Sequence, residues 1–470
     1  MSSVDTQPQL PTPNSHKHIR HDSANSHLIG RKSSSSSVLM TKKSNDSQNH
    51  HEKIKKNRSN SNDKHKQKHK NHSIKERSIP KRERLIPESD TILDLEKLGN
   101  DDNVTLRNAL IPLITDMLPG WDVSRESDIQ IERVSGALTN CVFFITKVNK
   151  LHDQTKNKKP LRVLLRVYGN GVDQLCDRQK ELNFLEMLSA LKIGPKLLGI
   201  FKNGRFEQHL ESVTLKSNDL RDPSTSKYIA QRLFQLHNII NKFPPPQEDI
   251  KPDVWINIDK WYPMALNTVF SNTLKCTEEQ RKNIEEFDFE MLKDEIEELE
   301  YKLSHDINSP IVFAHNDTQY GNILRLTDGS LVVVDFEYAG YNYQAFDIAN
   351  HFCEWMYDYR SSDPHKMKLD LYPNENQQID FLRSYLDTYL TSDDHTINNH
   401  SETHDSCLRK LKLDVYAFTL ASHVMWGLWG LVQSGQSQIN FDYLSYGMER
   451  LHRFRELKNE VYERLSLNKV

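Results

Sequence analysis

Two polar motifs set directly after apolar strands constrain the fold of this chain most. The first is His315-Asn-Asp-Thr-Gln-Tyr-Gly-Asn322, and the second is Asp335-Phe-Glu337, which begins thirteen residues after Asn322. A carboxylate buried beside an apolar strand costs on the order of several kcal/mol unless hydrogen-bond donors or a metal ion partner it. Any one of these residues could be a plain turn former. The spacing of the whole set indicates instead that the two motifs act together.

Phosphoryl transfer would account for both motifs. That chemistry needs one carboxylate that orients the attacking hydroxyl and accepts its proton, and an Asn and Asp pair that holds Mg²⁺ on the nucleotide phosphates. We expect Asp317 to act as the base, and Asn322 and Asp335 to hold the metal ion.

The first 86 residues differ in composition from the rest. They contain no Trp, Tyr, Phe or Cys, and they carry 19 Lys or Arg against 7 Asp or Glu, although the net charge of the whole chain is only −3. Such a segment buries too little apolar area to offset chain entropy, so we predict a disordered basic tail over 1–86. Nucleic-acid binding, attraction to anionic membrane and a solvated regulatory arm with phosphorylatable Ser residues are the alternatives. The lack of aromatic residues to stack on bases favours the arm over stable nucleic-acid binding.

The location of the protein can also be predicted. We find neither an apolar run of about 18 residues nor an apolar signal core, which disfavours a transmembrane or secreted protein. The five cysteines form neither a paired framework nor a Cys-x-x-Cys metal knuckle. We therefore expect a reducing, cytoplasmic setting.

Hydrophobic periodicity after the tail predicts an α+β protein of two lobes. Strands are expected at 129–134, 141–146, 162–168, 197–201 and 205–210, with one helix at 177–191. Beyond about residue 223 the pattern is mainly helical, with helices predicted at 226–241, 277–305, 377–391, 408–434 and 441–465 around a short strand-rich island. The expected domains are the tail, a small nucleotide-binding lobe over 87–210, and a larger helical lobe over 211–470.

The two motifs resemble the catalytic and metal-binding motifs of kinase-like phosphotransferases that act on small molecules. The run Asp335–Trp355 resembles the choline/ethanolamine kinase family, and the similarity extends over roughly residues 105–465. The resemblance implies a two-lobed protein-kinase-like fold that uses ATP and Mg²⁺ to phosphorylate choline, the first step of phosphatidylcholine synthesis by the CDP-choline route. An ethanolamine or dual kinase is the first alternative, a non-catalytic binding module the second, and a homodimer stays open.

The resemblance also assigns roles in the small lobe. Arg166 matches the basic residue that reaches the phosphates, and Glu181 matches its ion-pair partner. Gln208 to Leu210 match the inter-lobe crossing that meets adenine. The phosphate loop is matched by Ser135, Gly136, Thr139 and Asn140. The alternatives are a solvent-facing Arg166 on an edge strand, Glu186 in place of Glu181, and a plain hairpin strand at Gln208.

Departures from the sequence motifs of other kinases narrow the class of substrate. The chain has no GxGxxG loop and no His-Arg-Asp, and Asp-Phe-Glu stands in place of Asp-Phe-Gly. These departures disfavour a protein substrate. The P-loop signature is absent as well, which excludes the P-loop nucleotide fold.

The helical lobe is rich in aromatic residues that match the choline pocket of the family. A quaternary ammonium has no N–H to donate and is best held by aromatic faces near a carboxylate. The matching residues are Tyr338, Glu354, Tyr359, Trp426, Trp429, Phe441 and Tyr446. Two Trp residues at three-residue spacing are also typical of a protein core. Tyr320 and the Trp pair favour choline over ethanolamine, and Asp347 is interpreted as a structural acid.

Overall fold

The computed structural model describes residues 86–94, 103–134, 140–148, 161–168, 177–247, 250–391, 404–437 and 439–467. The predicted tail lies outside these residues except for Ile86. The described residues also leave out three members of the expected phosphate loop, Ser135, Gly136 and Thr139. Within the described residues, a sheet lobe precedes a helical lobe, as the α+β prediction requires.

The sheet lobe is built on six strands in the order β1-β5-β6-β4-β3-β2. The strands are β1 (Glu88–Ser89), β2 (Ile129–Val134), β3 (Asn140–Lys147), β4 (Arg162–Tyr168), β5 (Leu197–Phe201) and β6 (Gly204–Gln208). Alternation along β4 places Val163, Leu165 and Val167 in the core. Helix α1 (Asn103–Met117) packs on that face. Arg166 is offset by one residue from Leu165 and therefore faces away from α1.

Helix α2 (Arg178–Ala190) connects the two lobes. The Asp177 side chain caps its N-terminus by accepting the backbone N–H of Lys180, at 3.0 Å. Leu185 and Leu188 on its apolar face pack with Phe336 of the helical lobe. The helix thus lies between the sheet and the Asp335 motif.

Ten helices are described in all, and the helical lobe contains eight of them. They are α3 (Pro223–His237), α4 (Asp253–Val269), α5 (Glu278–Glu286), α6 (Phe289–His305), α7 (Gln344–Glu354), α8 (Glu375–Thr391), α9 (His404–Gln436) and α10 (Tyr443–Leu467). The sequence did not predict α4 or α7 as helices. The helix predicted over 277–305 is two helices, because Phe287 is extended and Asp288 caps α6 by accepting the backbone N–H of Met291, at 2.8 Å.

Helix α9 is the centre of the helical lobe and packs against α4, α7 and α10. Among the described residues it is the one helix long and apolar enough, by length and composition, to cross a membrane. No such run was expected from the sequence. Because 94% of the most apolar 18-residue stretch of α9 is buried inside the protein, α9 is a core helix.

Two short strand groups position the polar motifs. Strands β8 (Ile311–Ala314) and β11 (Gly340–Tyr343) form one antiparallel pair. Strands β9 (Ile323–Leu326) and β10 (Leu331–Val333) pair with each other, and β7 (Ser212–Thr214) joins them at β9. The six-stranded sheet ends at Gln208, and the next strand belongs to the helical lobe. The boundary at 210/211 stays a prediction.

Candidate active site

The segment 315–322, called the catalytic loop below, follows β8 and is held by hydrogen bonds to its own residues and to the second motif. Asn322 Nδ2 donates to Asp317 Oδ2 at 2.7 Å and to the Asp317 carbonyl oxygen at 2.9 Å. His315 Nε2 donates to the carbonyl oxygen of Val334 at 3.0 Å, and its Nδ1 accepts the backbone N–H of Asp317 at 3.2 Å. Burial lowers the pKa of His315, so the ring is neutral and can donate and accept in this way.

Backbone strain is confined to few places and two of them are in these motifs. Among the described residues, the non-glycine residues with positive φ are Lys192, Asn316 at 65° and Asp335 at 70°. Asn and Asp tolerate this left-handed region best among residues with a side chain, yet the conformation still costs on the order of 1–3 kcal/mol. Such strain persists only where surrounding contacts impose it, and it is concentrated at functional sites.

One face of α7 imposes the conformation of the catalytic loop. Asp347 accepts the backbone N–H groups of His315 and Asn316, each at 2.8 Å. Asn350, three residues on, donates to the carbonyl oxygen of Asn316 at 2.9 Å. His351 Nδ1 donates to the carbonyl oxygen of Thr318 at 2.7 Å. Residues three and four apart share a helix face, so this side of α7 reaches the whole first half of the loop. The contacts agree with the structural role expected for Asp347.

Four carboxylates concentrate negative charge at the site. Burial raises the pKa of Asp317 well above its ordinary value, and the charges of Glu354, Asp335 and Glu337 raise it further. Burial likewise raises the pKa of Glu337, with the charges of Asp335 and Glu181 adding to the effect. An arrangement of this kind stabilises bound cations.

The donor set at Asn322 and Asp335 fits Mg²⁺. Both residues offer oxygen ligands, which this ion prefers, and Mg²⁺ in phosphoryl-transfer sites takes only one or two protein ligands besides phosphate and water. No group of three His, Cys, Asp or Glu residues that could hold a metal ion occurs in the described part of the chain. The residues therefore suit an ion shared with a nucleotide better than a metal ion held by protein alone.

Arg166 is buried and points at the second motif. Its Nη1 lies 3.0 Å from Asp335 Oδ1, and its Nε lies 3.5 Å from Glu207 Oε1. Strand β4, which carries it, lies between β3 and β6 in the sheet. The alternative of a solvent-facing arginine on an edge strand is therefore wrong.

The expected Arg166–Glu181 ion pair is not formed in this structure. Glu181 instead pairs with Arg205 at 2.8 Å and with Arg178 at 2.7 Å. The reason is geometric, because Arg205, which lies opposite Arg166 on the neighbouring strand β6 and is almost fully buried, contacts Glu181 Oε1 itself. Arg205 also pairs with Glu207, at 2.6 Å. Arg166 and Glu181 therefore belong to one buried ionic network without direct contact.

Three of the remaining nucleotide-binding predictions can be located. Gln208 ends β6, and its backbone N–H already donates to the carbonyl oxygen of Lys196 at 2.8 Å, which favours the plain hairpin strand. The Leu210 carbonyl oxygen, just after the sheet, accepts the Ser212 hydroxyl at 3.0 Å. Asn140 is the first residue of β3. Adenine or phosphate binding by these residues stays a prediction.

The seven predicted acceptor-binding residues form one connected cluster, called the aromatic cage below. Tyr338 and Trp426 have ring centroids 5.2 Å apart, and Trp426 and Trp429 are 5.3 Å apart. Trp429 then contacts Tyr446 at 6.2 Å, Tyr446 contacts Phe441 at 5.7 Å, and Phe441 contacts Tyr359 at 6.2 Å. The Tyr359 hydroxyl donates to Glu354 Oε2 at 2.7 Å.

The close crossing of α9 and α10 brings the cage together. A Cβ added to Gly430 would lie 2.9 Å from the Cα of Gly447, so both positions need a residue without a side chain. Trp429 and Tyr446 flank these two glycines in the sequence. The small residues thus set the distance at which the two aromatic side chains meet.

Some site residues were not predicted. Tyr357, Tyr443 and Arg450 contact the cage, with the Tyr357 ring 5.2 Å from Tyr446 and the Tyr443 ring 5.6 Å from Trp429. Arg450 pairs with Glu354 at 2.5 Å. The available signal was helical spacing, because Arg450 follows Tyr446 by four residues on α10 and must share its face.

The fold and the site define the class of protein. A buried arginine of the sheet lobe points at an Asp-Phe-Glu motif, and the helical lobe carries a catalytic loop with an Asp and an Asn. This combination is typical of kinase-like phosphotransferases. The family model described as choline/ethanolamine kinase matches residues 131–455. The chain belongs to the choline/ethanolamine kinase family, and it is an enzyme of that family.

Individual relatives agree with this assignment. The choline/ethanolamine kinase of Mus musculus is 36% identical over 351 residues, which are 73% of this chain and 83% of that protein. Probable choline kinase 2 of Arabidopsis thaliana is 35% identical over 335 residues, 71% of this chain and 87% of that protein. The crystal structure of choline kinase from Cryptosporidium parvum matches with a TM-score of 0.61 at 28% identity, over 76% of this chain and 96% of that one. The two-lobed fold prediction is confirmed.

Proposed function

We propose that this enzyme transfers the γ-phosphoryl group of ATP to the hydroxyl of choline, giving phosphocholine and ADP. The observation that carries the proposal is that the aromatic cage adjoins the catalytic loop: the Tyr359 ring stacks on that of Tyr320 with centroids 5.9 Å apart, and the Tyr359 backbone N–H donates to the Tyr320 hydroxyl at 2.7 Å. A cation held in the cage therefore lies near the proposed base. We expect the hydroxyl, two carbons from that cation, to reach the base.

The chain's own residues supply positioning and charge. Asp317 orients the acceptor hydroxyl and takes its proton as the oxygen attacks phosphorus, and burial favours its protonated form afterwards. Arg166 offsets negative charge on the transferring phosphoryl group. Because phosphoryl transfer depends mainly on such positioning, the rigidity of the catalytic loop contributes directly to the rate.

Asn322 and Asp335 would hold Mg²⁺, which supplies neutralisation of phosphate charge when it is bound. Excess chelator is therefore expected to abolish turnover, and added MgCl₂ is expected to restore it. Turnover that survives chelation would contradict this metal assignment while leaving the acceptor assignment intact.

The cage favours choline because its quaternary ammonium is easier to remove from water. A quaternary ammonium keeps few strong interactions with water to lose, and each aromatic face contributes on the order of 0.5–2 kcal/mol to holding it. Ethanolamine is the second candidate, because the matching family model is described by both substrates. Its ammonium has three N–H donors that need acceptors.

The test is ADP release by the purified full-length protein with MgATP and either choline or ethanolamine. Phosphocholine is identified by ³¹P NMR, and a reaction without acceptor measures background hydrolysis. We expect kcat/KM to be higher for choline. Release at the background rate with both acceptors would overturn the proposed function, and a higher kcat/KM for ethanolamine would overturn the choice of acceptor.

Three further features belong to this proposal. We place the enzyme in the cytoplasm, at the start of phosphatidylcholine synthesis, consistent with the free state of Cys141, Cys276 and Cys353. The basic tail is proposed as a phosphorylatable arm. A homodimer is proposed as the assembly, and light scattering of the purified chain tests it.

A further inference from the structure

Arg450 places a buried positive charge directly behind the aromatic cage. Its side chain is fully buried, and its Nη2 lies 2.5 Å from Glu354 Oε1. The guanidinium carbon lies 4.7 Å from the ring centroid of Tyr357 and 5.0 Å from that of Tyr446. Its Nε and Nη1 have no hydrogen-bond partner. A buried charge with so few hydrogen bonds is costly, which makes its one carboxylate contact important.

Glu354 uses both carboxylate oxygens within the protein. Oε1 accepts from Arg450, and Oε2 accepts the hydroxyl of Tyr359 at 2.7 Å. Burial and the charge of Glu354 raise the pKa of Tyr359, so this phenol keeps the proton that it donates. The carboxylate therefore faces the cage with its charge compensated and with one acceptor site on each oxygen occupied, which leaves fewer than its roughly four lone-pair sites for a substrate donor.

This arrangement affects the two amino alcohols differently. A quaternary ammonium has no N–H and loses nothing when the carboxylate is occupied, because the aromatic faces hold it. A primary ammonium leaves its hydrogen bonds to water on entering the cage and must regain them from acceptors. A site in which a substrate donor finds no partner discriminates strongly against that substrate.

We infer that Arg450 is a specificity-determining residue, which by pairing with Glu354 makes the cage select a quaternary over a primary ammonium. The inference rests on the proposed function, because that function assigns the acceptor cation to this cage. Arg450 acts through Glu354 and is a positioning residue, without contact to the reacting atoms.

The test measures the ratio of kcat/KM for choline to kcat/KM for ethanolamine in two variants. Arg450→Met frees Oε1 and removes the compensating charge, and Tyr359→Phe frees Oε2 while keeping the ion pair. Each variant gives ethanolamine a further acceptor site on the carboxylate, so the ratio is expected to fall by roughly tenfold or more. The added negative charge attracts both cations alike and leaves the ratio unchanged by itself.

Two controls separate this role from a structural one. Arg450→Lys keeps the charge next to Glu354, and it is expected to keep the ratio within about threefold of the wild-type value. Tyr357→Phe is matched to Tyr359→Phe, because it removes a hydroxyl that has no hydrogen-bond partner, and its ratio is expected to stay unchanged. Thermal unfolding of every variant reports on folding. A merely structural residue would lower kcat/KM for both acceptors in parallel.

The outcomes can be told apart. If wild-type protein turns over neither acceptor, the proposed function fails. If wild-type protein prefers choline but Tyr359→Phe and a folded Arg450→Met keep the same ratio, this inference is wrong and the proposed function stands. If Arg450→Met does not fold, the ratio of Tyr359→Phe decides by itself.

Discussion

The catalytic loop and the aromatic cage meet on helix α7, but they are held by different forces. The loop is fixed by short hydrogen bonds, such as those from His315 and Asn316 to Asp347 at 2.8 Å. The cage is fixed mainly by ring contacts, with centroids 5.2–6.2 Å apart along the path from Tyr338 to Tyr359. Hydrogen bonds are directional and strained loops need all of them, whereas ring contacts are individually weak and numerous.

This difference predicts two kinds of response to substitution. A change in the loop should act on kcat and be large, because one lost hydrogen bond displaces a reacting group. A change in the cage should act on the KM for choline and be smaller, because the remaining rings keep most of the binding energy. The predictions below test this contrast in order of decreasing effect.

The largest effect is expected for Asp317→Asn. The amide keeps the size of the carboxylate and can still accept from Asn322, but it cannot take the proton of the acceptor hydroxyl. We expect kcat to fall by about 10²–10⁴-fold, with nucleotide affinity changed by only a few fold. Single-turnover kinetics and titration calorimetry with ADP measure the two quantities. A kcat within tenfold of wild type would assign the base to another residue.

The second effect is expected for Asp347→Asn, which changes no reacting group. Asp347 accepts from two backbone N–H groups and from His237 Nε2 at 2.9 Å, and an amide offers only one oxygen to these donors. The mismatch should cost about 1–3 kcal/mol in the free energy of unfolding. We expect kcat to fall more than the KM for choline rises. Equal changes in both parameters would contradict the separation of loop and cage.

The same variant has a signature in the pH dependence of stability. Burial alone would raise the pKa of Asp347, but its hydrogen bond with His237 and the charge of that ring outweigh burial, and the pKa is lowered. A lowered pKa stabilises the fold above the ordinary value near 3.9, and that stabilisation is lost as the pH falls through the folded value. Urea unfolding between about pH 2 and 5 should therefore show a shallower acid dependence for Asp347→Asn. An unchanged dependence would show that Asp347 does not carry this stabilisation.

The third effect is expected for Trp429→Phe in the cage. The substitution removes the indole N–H that donates to the Tyr338 hydroxyl at 2.8 Å, and it reduces the aromatic face. A loss of 0.5–2 kcal/mol raises the KM for choline by about 2- to 30-fold, with little change in kcat. Trp255→Phe is the matched control, because Trp255 is buried in the core of the helical lobe on α4. A similar rise in KM for both variants would mean that the effect is one of folding.

Much of the fold was predictable because its signals are local. Strand β4 follows the predicted bounds 162–168, since the alternation of apolar residues spans the strand. Helix α2 lies one residue inside its predicted range, because Asp177 provides a cap that the sequence shows. The members of the cage were assigned from a resemblance that keeps many motifs in order, and the structure brings them together.

The features that could not be predicted depend on contacts between residues that are far apart in the sequence. Arg205 pairs with Glu181, 24 residues earlier, and nothing in the spacing of either residue indicates that pair. The end of α5 was missed because Asp288 lies in an acidic segment, where one more Asp does not stand out as a cap. Arg450 was missed because an arginine on a late helix is usually exposed, and only the packing of α9 against α10 buries it.

The smallest effect is expected for Tyr320→Phe, which tests the hydrogen bond between Tyr320 of the loop and Tyr359 of the cage. Tyr320 belongs to the catalytic loop, yet its hydroxyl accepts the backbone N–H of Tyr359 at 2.7 Å, and the two rings stack with centroids 5.9 Å apart. Phenylalanine keeps the stack and removes the hydrogen bond, at a cost of about 0.5–1.5 kcal/mol.

Because this hydrogen bond joins the loop to the cage, its loss should have the same kind of effect as a substitution in the cage. We expect the KM for choline to rise by about 2- to 10-fold while kcat stays within about twofold of wild type. Steady-state kinetics at saturating ATP measure both values. If kcat falls as it does in Asp347→Asn, the hydroxyl of Tyr320 supports the loop itself, and loop and cage form one mechanical unit. If only KM rises, the other contacts of the loop suffice to hold it, and the cage can be altered for a different acceptor without loss of phosphoryl transfer.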